Sequence, residues 1–462
     1  MVNFIDVLDR AANGPMMTQK DFDIKVFIPA LRKVLKKYDL KWDRKEVVNT
    51  DDTLADRVFE AAVDFYSQVG TYITDTERVI QFSKAEILEA VEDAPKEAYF
   101  GEGPDRCVMK GRMPDSDELP HCHVGSGTNT TEDVALRLVE AYARISKAKT
   151  ISIPIINTLG HIRTAAGAPT EVFAGIRAMQ YGREGTRRAG RPGLAIIDHL
   201  SSASTGVSTI AASAPQFGAR PSDGWLVSPF AELKTDYSSL NQTAYLTAWG
   251  ANIGQEAGPI LGGYAGGPEG LAVVNTAYSL HGILVIRATY HLIYPIHMTY
   301  VCSTVPEVLW ATSASTQAIA RNMGVPYYTL LYAAAGAATK MYFDEALAAL
   351  LMLIASGSGI EDVHPGKAKI TNGCTPVDME FTCQVGHAFK GLTRKEANKL
   401  LDKIIPKYID QIPNPPHGET LEECYDLDYF RPKPHFAKLY EEVIKEIKQE
   451  FGVDLYKYRE NF

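Results

Sequence analysis

The feature that most constrains the fold is an alternation of short apolar runs with helical patterns, which begins at residue 150. The runs typical of buried strands are 150–156, 194–197, 243–249, 283–286, 296–301 and 327–331. Helical patterns lie between most of them, for example over 171–188, 271–280 and 306–323. Strands that alternate with helices pair in parallel, so the chain is predicted to be an α/β protein. Periodicity alone does not choose between an open sheet and a closed barrel.

The segments on either side of this region are predicted to be mostly helical. Helices are predicted over 22–38, 53–69, 83–91 and about 131–146, with a hairpin within 70–82 and a long loop over 104–133. The C-terminal segment returns to charged amphipathic helices. The predicted division is an N-terminal helical extension at 1–145, an α/β domain at 146–392 and C-terminal helices at 393–462.

Composition excludes several classes of function. The net charge of −9 argues against binding to nucleic acid, which needs clustered Lys and Arg. Six cysteines without a CxxC pair predict neither a zinc ribbon nor a disulfide scaffold, and they suit a reducing cytoplasm. The N-terminus lacks a signal-peptide core, and the most apolar run, 346–355, is too short to cross a bilayer. A soluble cytoplasmic protein is expected.

Two glycine-containing blocks stand out beside a candidate acid. The first is Gly190-Arg191-Pro192-Gly193, and the second is the glycine string at 262–267, which follows Glu256. Neither block matches a nucleotide-binding pattern, and the string favours a tight turn over a ligand contact. A carboxylate near a strand end can hold a cationic amine or move a proton.

Both blocks resemble the monomethylamine methyltransferases of methanogenic archaea. Further points of resemblance are Thr74-Asp75-Thr76, Tyr327-Tyr328 and Glu423-Cys424-Tyr425-Asp426. The resemblance implies a TIM-type (β/α)8 barrel that moves a methyl group from an amine to the cobalt of a partner corrinoid protein. It also implies that no cofactor is bound tightly, because the corrinoid (cobalamin) belongs to the partner, and that the chain forms a homo-oligomer, a hexamer in that family.

The same resemblance implies a changed set of cavity residues. The family's pyrrolysine falls on Ile197, its second glutamate on Leu226 and its glutamine on Pro326, whereas its active-site glutamate and tyrosine are kept as Glu256 and Tyr328. The chain is therefore expected to be a pyrrolysine-independent member, because isoleucine cannot form the imine that captures a primary amine.

Other candidate residues come from position and residue type. Asp198 and His199 directly follow the 194–197 run, which would place them at the mouth of a parallel barrel, and a cap and a solvated loop residue are equally expected there. His291 follows the stretch 283–290, which ends in Tyr290, in the same way. His121-Cys122-His123 lacks a second cluster with zinc spacing, so no metal site is predicted.

Aromatic residues are dense in the region expected to line the cavity. Most are expected in the core, and two or three that face one pocket would form a cage for a methylated ammonium. The residues are Trp225, Tyr245, Trp249, Tyr290, Tyr294, Tyr300, Tyr327 and Tyr328.

Three functions are compatible with these observations. The first is corrinoid-dependent demethylation of a donor other than monomethylamine, such as a quaternary amine, whose nitrogen already leaves as a neutral amine. The second is a different reaction carried out by Asp198, His199 and Glu256. The third is a non-catalytic binding protein, which a sealed apolar barrel mouth would favour.

Overall fold

The chain forms a closed barrel of parallel strands. The computed structural model describes residues 2–125, 128–198, 205–366 and 370–456. Within these ranges, one eight-stranded sheet follows chain order. Its strands are β1 (His123–Val124), β2 (Thr150–Ile151), β3 (Ala195–Asp198), β4 (Gly224–Val227), β5 (Asn252–Ala257), β6 (Tyr290–Ile293), β7 (Tyr327–Thr329) and β8 (Gly359–Ile360). A parallel bridge between Cys122 and Ile360 joins β8 to β1, so the predicted TIM-type barrel is confirmed.

Each strand is followed by a helix that runs back along the outside of the barrel. These helices are α1 (Glu132–Arg144), α2 (Pro169–Arg188), α3 (Gly206–Ala212), α4 (Tyr237–Trp249), α5 (Pro268–His281), α6 (Pro306–Asn322), α7 (Lys340–Ser356) and α8 (Pro376–Ala388).

Two of the runs predicted as strands are helical. The run 243–249 belongs to α4, where Tyr245 and Trp249 pack one helical turn apart, and 283–286 lies in the π-helical turn Gly282–Ile286.

The N-terminal extension is mostly helical, and it contains the hairpin predicted within 70–82. Its helices are Phe4–Asn13, Gln19–Asp21, Ile28–Lys37, Asp52–Val69 and Lys84–Asp93, with a π-helical segment at Phe22–Phe27. Thr71–Ile73 pairs with Arg78–Ile80 in the predicted hairpin. Ser83 caps the last of these helices through a reciprocal bond with Glu86.

The C-terminal segment packs on the barrel as short helices. Its helices are Arg394–Ile404, Leu421–Cys424 and Pro434–Phe451, with 3-10 turns at Ile405–Lys407 and Ile409–Gln411 and a strand pair at Tyr425–Asp426 and Arg431–Pro432.

The barrel begins earlier in the chain than predicted. Strand β1 and helix α1 both lie inside the segment 1–145 that was assigned to the N-terminal extension. A strand of two residues has no alternating pattern, and it directly follows a stretch rich in Gly and Pro, so its sequence resembles a loop.

A second hairpin, Glu97–Phe100 paired with Cys107–Lys110, closes the amino-terminal end of the barrel. Its inward side chains Phe100 and Met109 are buried in one cluster with Ile197 and Tyr290 of the barrel interior. The Phe100 ring meets the Tyr290 ring edge to face at 5.1 Å. This plug hairpin leaves the opposite end of the barrel as the mouth.

The block Gly190–Gly193 fastens the plug hairpin to the barrel. The Arg191 guanidinium bonds the Asp105 carboxylate at 2.9 Å and donates to the carbonyls of Ala143, Ile145 and Ala148. The Gly193 carbonyl accepts from the Glu102 amide at 2.9 Å. The block therefore has a structural role at the base of β3, far from the mouth.

Helices α5, α6 and α7 are buried on all sides because the extensions cover them. Asp52–Val69 packs on α5 and α6, and Arg394–Ile404 packs on α7. Among the described residues, the run Pro268–Ile286 has the length and hydropathy of a membrane span, but 94% of it is buried inside the protein. It is a core helix of the barrel.

We expect Gly193→Ala to destabilise the protein by about 2–3 kcal/mol, the range of core overpacking. A Cβ at Gly193 would lie 2.1 Å from the Glu102 carbonyl oxygen, where the backbone has to move. The control is Gly267→Ala, whose Cβ would meet only the flexible Glu269 carboxylate at 3.4 Å. Thermal unfolding of both variants checks this; an equal melting temperature in the two would contradict it.

Candidate active site at the barrel mouth

The floor of the mouth is an apolar layer contributed by inward-facing side chains. Ile197, Leu226 and Leu292 are at most 4% exposed and form one cluster with Tyr290 and Tyr328. Strand side chains alternate between the two faces, so these residues point inward while Ile196, for example, packs outward against Gly182 of α2. The cavity therefore begins above this layer.

Tyr290 fills the centre of the barrel because two neighbouring strands lack side chains there. A Cβ at Gly254 would lie 2.3 Å from the Tyr290 ring, and one at Gly224 would lie 2.6 Å from its hydroxyl. The Tyr290 and Tyr328 rings stack at 6.3 Å with 16° between their planes. Burial, and to a lesser extent the charge of Glu256, raises the pKa of Tyr290.

Glu256 lies two residues beyond Gly254 on β5, so it faces the interior one step closer to the mouth. Its carboxylate accepts a hydrogen bond from the Ser228 hydroxyl at 2.7 Å, and the residue is half-buried. Burial first, and Glu256 second, raises the pKa of Tyr294, which fits beside the strand because Gly258 has no side chain. Strand β5 thus places the Glu256 carboxylate near the Tyr294 ring.

Asp198 ends β3 and is buried at the same level. Its carboxylate accepts from the Ile153 amide at 3.0 Å. Burial is the main cause that raises the pKa of Tyr328 and of Glu361, and the charges of Glu256 and Asp198 are smaller causes. Negative charge on β3, on β5 and directly after β8 therefore acts on the same part of the barrel. His199 lies outside the described residues.

The residues after β8 form a buried polar cluster that sequence analysis missed. His364 Nε2 lies 3.5 Å from Asp362 Oδ2 and 3.7 Å from Glu361 Oε1. Burial is the main cause that raises the pKa values of both acids, and it lowers the pKa of His364 to about 4. Their position directly after a strand could have identified them from the sequence. Strand β8 is only two residues long, however, so it has no recognisable strand pattern.

His123 lies between this cluster and Tyr328. Its Nδ1 bonds the Thr150 hydroxyl at 2.8 Å, and its Nε2 bonds the Ser152 hydroxyl at 2.9 Å. Because Ser152 donates its own proton to the Ile197 carbonyl, Nε2 of His123 is the donor. The His123 and Tyr328 ring centroids are 5.1 Å apart.

Two residues expected in the cavity lie elsewhere. His291 points outward between the barrel and α5, where its Nδ1 is 3.4 Å from the Gln255 side-chain oxygen. It follows the inward Tyr290 by one residue, so the alternation of the strand turns it away. Pro326 precedes β7 at the base of the barrel, where its carbonyl accepts from the His291 amide. Neither residue reaches the mouth.

The aromatic residues divide between two compartments. Trp225, Tyr245 and Trp249 pack together outside the barrel, and Tyr327 faces α6. The rings that face the barrel interior are Tyr290, Tyr294 and Tyr328, joined by Tyr332, which sequence analysis did not single out. Tyr332 meets Tyr294 edge to face at 6.3 Å. Three of the eight candidates therefore converge.

Gly262–Gly267 forms a tight turn on the rim, as its composition predicts. The Gly262 amide donates to the Gly266 carbonyl at 2.9 Å, and both glycines have positive φ. The turn shapes the edge of the mouth and ends at the start of α5.

The arrangement as a whole suits a positively charged ligand. The charges of Glu256, Asp198 and Glu361 act on the Tyr328 ring, which belongs to the apolar layer below them. Acidic groups and aromatic faces both attract cations, and a desolvated site strengthens that attraction.

We expect Tyr290→Phe to leave stability unchanged or slightly higher. The Tyr290 hydroxyl is buried and has no hydrogen-bond partner in the described ranges of the chain, so its removal relieves a desolvation cost. The matched control is Tyr278→Phe, whose hydroxyl accepts from the Leu233 amide and donates to the Phe230 carbonyl. The control should lose about 1–3 kcal/mol in chemical denaturation. A larger loss for Tyr290→Phe than for the control would show that the Tyr290 hydroxyl is stabilised.

Comparison with known proteins places the chain among methyltransferases. The family model for monomethylamine methyltransferase MtmB matches residues 2–453. MtmB2 of Methanosarcina acetivorans is 28% identical over 450 residues, which cover 96% of this chain and 97% of that protein. MtmB of Methanosarcina mazei is 28% identical over 449 residues, with 96% of each chain covered. The crystal structure of Methanosarcina barkeri MtmB matches with a TM-score of 0.93 at 26% identity and covers 97% of this chain and 98% of that one.

The likeness includes both terminal extensions as well as the barrel. A hydroxylamine complex of MtmB matches with the same TM-score of 0.93. The resemblance carried by the glycine blocks is thereby confirmed over nearly the full length. The chain belongs to the monomethylamine methyltransferase family MtmB, whose members are corrinoid-dependent methylamine methyltransferases.

Proposed function

We propose that the protein transfers a methyl group from a methylated amine other than monomethylamine, with a quaternary ammonium as the favoured donor class. The observation that carries this proposal is the acidic, tyrosine-lined mouth above an apolar floor. Glu256 balances the positive charge of the donor, and Tyr294 and Tyr332 contact its methyl groups.

The residue aligned with pyrrolysine supports this choice of donor. Ile197 is fully buried in the apolar floor beside Leu226, so this part of the cavity offers no electrophile to a primary amine. A quaternary donor needs no such activation. When its methyl carbon–nitrogen bond breaks, the electron pair stays on nitrogen and a neutral tertiary amine leaves without a proton transfer.

A Co(I) corrinoid carried by a partner protein supplies the nucleophile that accepts the methyl group. This chain contributes position and charge: Glu256, assisted by the charge of Asp198, holds the ammonium, and the floor of Ile197 and Leu226 limits its depth. Holding two reactants in line provides several kcal/mol of a barrier of this kind. As the methyl group leaves, the cation is neutralised beside the carboxylates, and the product is released.

An apolar rim around the mouth supports docking of the partner. Loops and helix starts at this end of the barrel carry exposed hydrophobic side chains. They are Ile162, Phe173, Val207, Phe230, Tyr264 and Met298. Exposed apolar groups clustered around a cavity are typical of protein interfaces. The homo-oligomer and the cytoplasmic location that the sequence predicts remain predictions.

We expect Glu256→Gln to lower kcat/KM for a quaternary donor by roughly 10- to 100-fold, about 1.4–2.8 kcal/mol, through loss of the charge that faces the ammonium. Methylation of a Co(I) corrinoid protein, followed by visible absorption over a panel of methylated amines, measures it. Glu307→Gln, a carboxylate at the start of α6 on the same end of the barrel, is the control. Turnover of monomethylamine alone, or of no donor beside an active control enzyme, would rule out this donor class.

We expect Met298→Asp or Phe173→Asp to raise the KM for the corrinoid protein by about tenfold, since a charge on the rim disrupts apolar contact. The donor KM should not change. Met113→Asp is the control, because Met113 is 50% exposed, close to the 54% of Met298, but lies at the plugged end. An equal effect of all three variants would contradict docking at the mouth.

A further inference from the structure

We propose that Glu361, Asp362 and His364 form a binding site for a divalent transition-metal ion at the barrel mouth. This cluster includes neither the glycine blocks nor the His-Cys-His sequence at 121–123 that was considered as a metal site. One possible ligand atom of each residue lies within 4.8 Å of those of the other two. The proposal does not depend on the identity of the methyl donor.

The distances between the ligand atoms fit a first-row metal. His364 Nε2 is 3.5 Å from Asp362 Oδ2 and 3.7 Å from Glu361 Oε1. Metal–ligand bonds of about 2.1 Å in tetrahedral geometry separate ligand atoms by about 3.4 Å. Both distances that involve His364 lie within a few tenths of an ångström of this value, and the ligand atoms of Glu361 and Asp362 lie within 4.8 Å of each other.

The three side chains are buried, and several of their polar atoms have no hydrogen-bond partner among the described residues. Each side chain is at most 3% exposed. Within the part of the chain that the structure describes, the atoms without a hydrogen-bond partner of standard geometry are Oε2 of Glu361, Oδ2 of Asp362 and both ring nitrogens of His364. Within the described ranges, the ion-pair contacts of both acids are with histidine and none is with Lys or Arg. Buried carboxylates are normally paired or coordinate a metal.

Neighbouring groups hold the three side chains in place. The Gly125 amide donates to Asp362 Oδ1 at 2.9 Å, which leaves Oδ2 directed to the cluster. The Tyr332 ring packs edge to face on His364 at 5.4 Å. Bonds of this kind orient metal ligands in known sites.

His123 is close but is not counted as a ligand. Its Nε2 is 3.9 Å from Glu361 Oε1 and donates to Ser152 instead. Three protein ligands leave one position of a tetrahedral site for water or for an atom of a small molecule.

The donor set favours zinc or a similar ion over magnesium or calcium. An imidazole together with carboxylates suits Zn²⁺, Co²⁺ and Fe²⁺, whereas Mg²⁺ and Ca²⁺ prefer oxygen ligands alone. A methylated ammonium does not fit between ligand atoms this close, because its nitrogen is surrounded by methyl groups. The metal site and the proposed donor site are thus distinct.

The test is titration of the purified full chain, after treatment with a chelator, with Co²⁺ alone and then with Zn²⁺. We expect one Co²⁺ per chain with visible d–d absorption, and displacement by Zn²⁺. His364→Gln and Asp362→Asn should weaken binding by more than the roughly 10- to 100-fold that loss of an outer-shell partner causes. His435→Gln is the control, since His435 contacts Glu419 at 2.8 Å on the exposed surface.

Thermal unfolding provides a second measurement on the same samples. Zn²⁺ should raise the melting temperature of the wild-type protein and of His435→Gln, but not that of Asp362→Asn. If the wild-type chain binds no Co²⁺, or if the two ligand variants bind it as tightly as the control, the site does not exist. Because no corrinoid or methyl donor is present, this result is independent of the methyl-transfer assay.

Discussion

The ring of Tyr290 occupies the barrel axis only because Gly224 and Gly254 leave space for it on the two preceding strands. Any larger side chain at either glycine would meet the ring. Tyr290 and the Phe100 edge beneath it fill the lower barrel, so the remaining space is confined to the carboxyl ends of the strands. The height of the floor, and with it the position of Glu256, follows from this packing.

Above the floor, the folded barrel brings together acidic side chains that would each be surrounded by water in the unfolded chain. Asp198, Glu256 and Glu361 are distant in the sequence, and closure of the sheet brings them close enough for the first two charges to act on Glu361. Under the two proposals, an amine donor and a metal ion would use this negative charge at different points of the mouth.

Much of this arrangement was accessible from the sequence, and the exceptions have physical causes. Strand–helix alternation and the glycine blocks predicted the barrel. Ile197, Glu256 and Tyr328 lie at inward-facing positions of its strands, and the site roles that the resemblance implies for them remain predictions. His291 was misplaced because a shift of one residue along a strand reverses the face. Glu361 and His364 were missed because Gly359–Ile360 is too short to show a strand pattern. The prediction of a strand at 243–249 was wrong because apolar residues alone do not distinguish a helix from a strand.

The cover that Asp52–Val69 places over α5 and α6 has a consequence for synthesis of the chain. Arg321 holds Asp56 through two bonds of 2.9 Å across 265 positions, and Gln317 bonds Asn49 across 268. At about 5–20 residues per second, the ribosome needs roughly 13–50 s to make the intervening chain. During that interval the helix can pack on its N-terminal neighbours through Phe65 and Tyr66, but the face that contacts α5 and α6 lacks its native partner. A nascent chain of this kind is a natural client for chaperones, and its folding is completed only after most of the barrel has emerged.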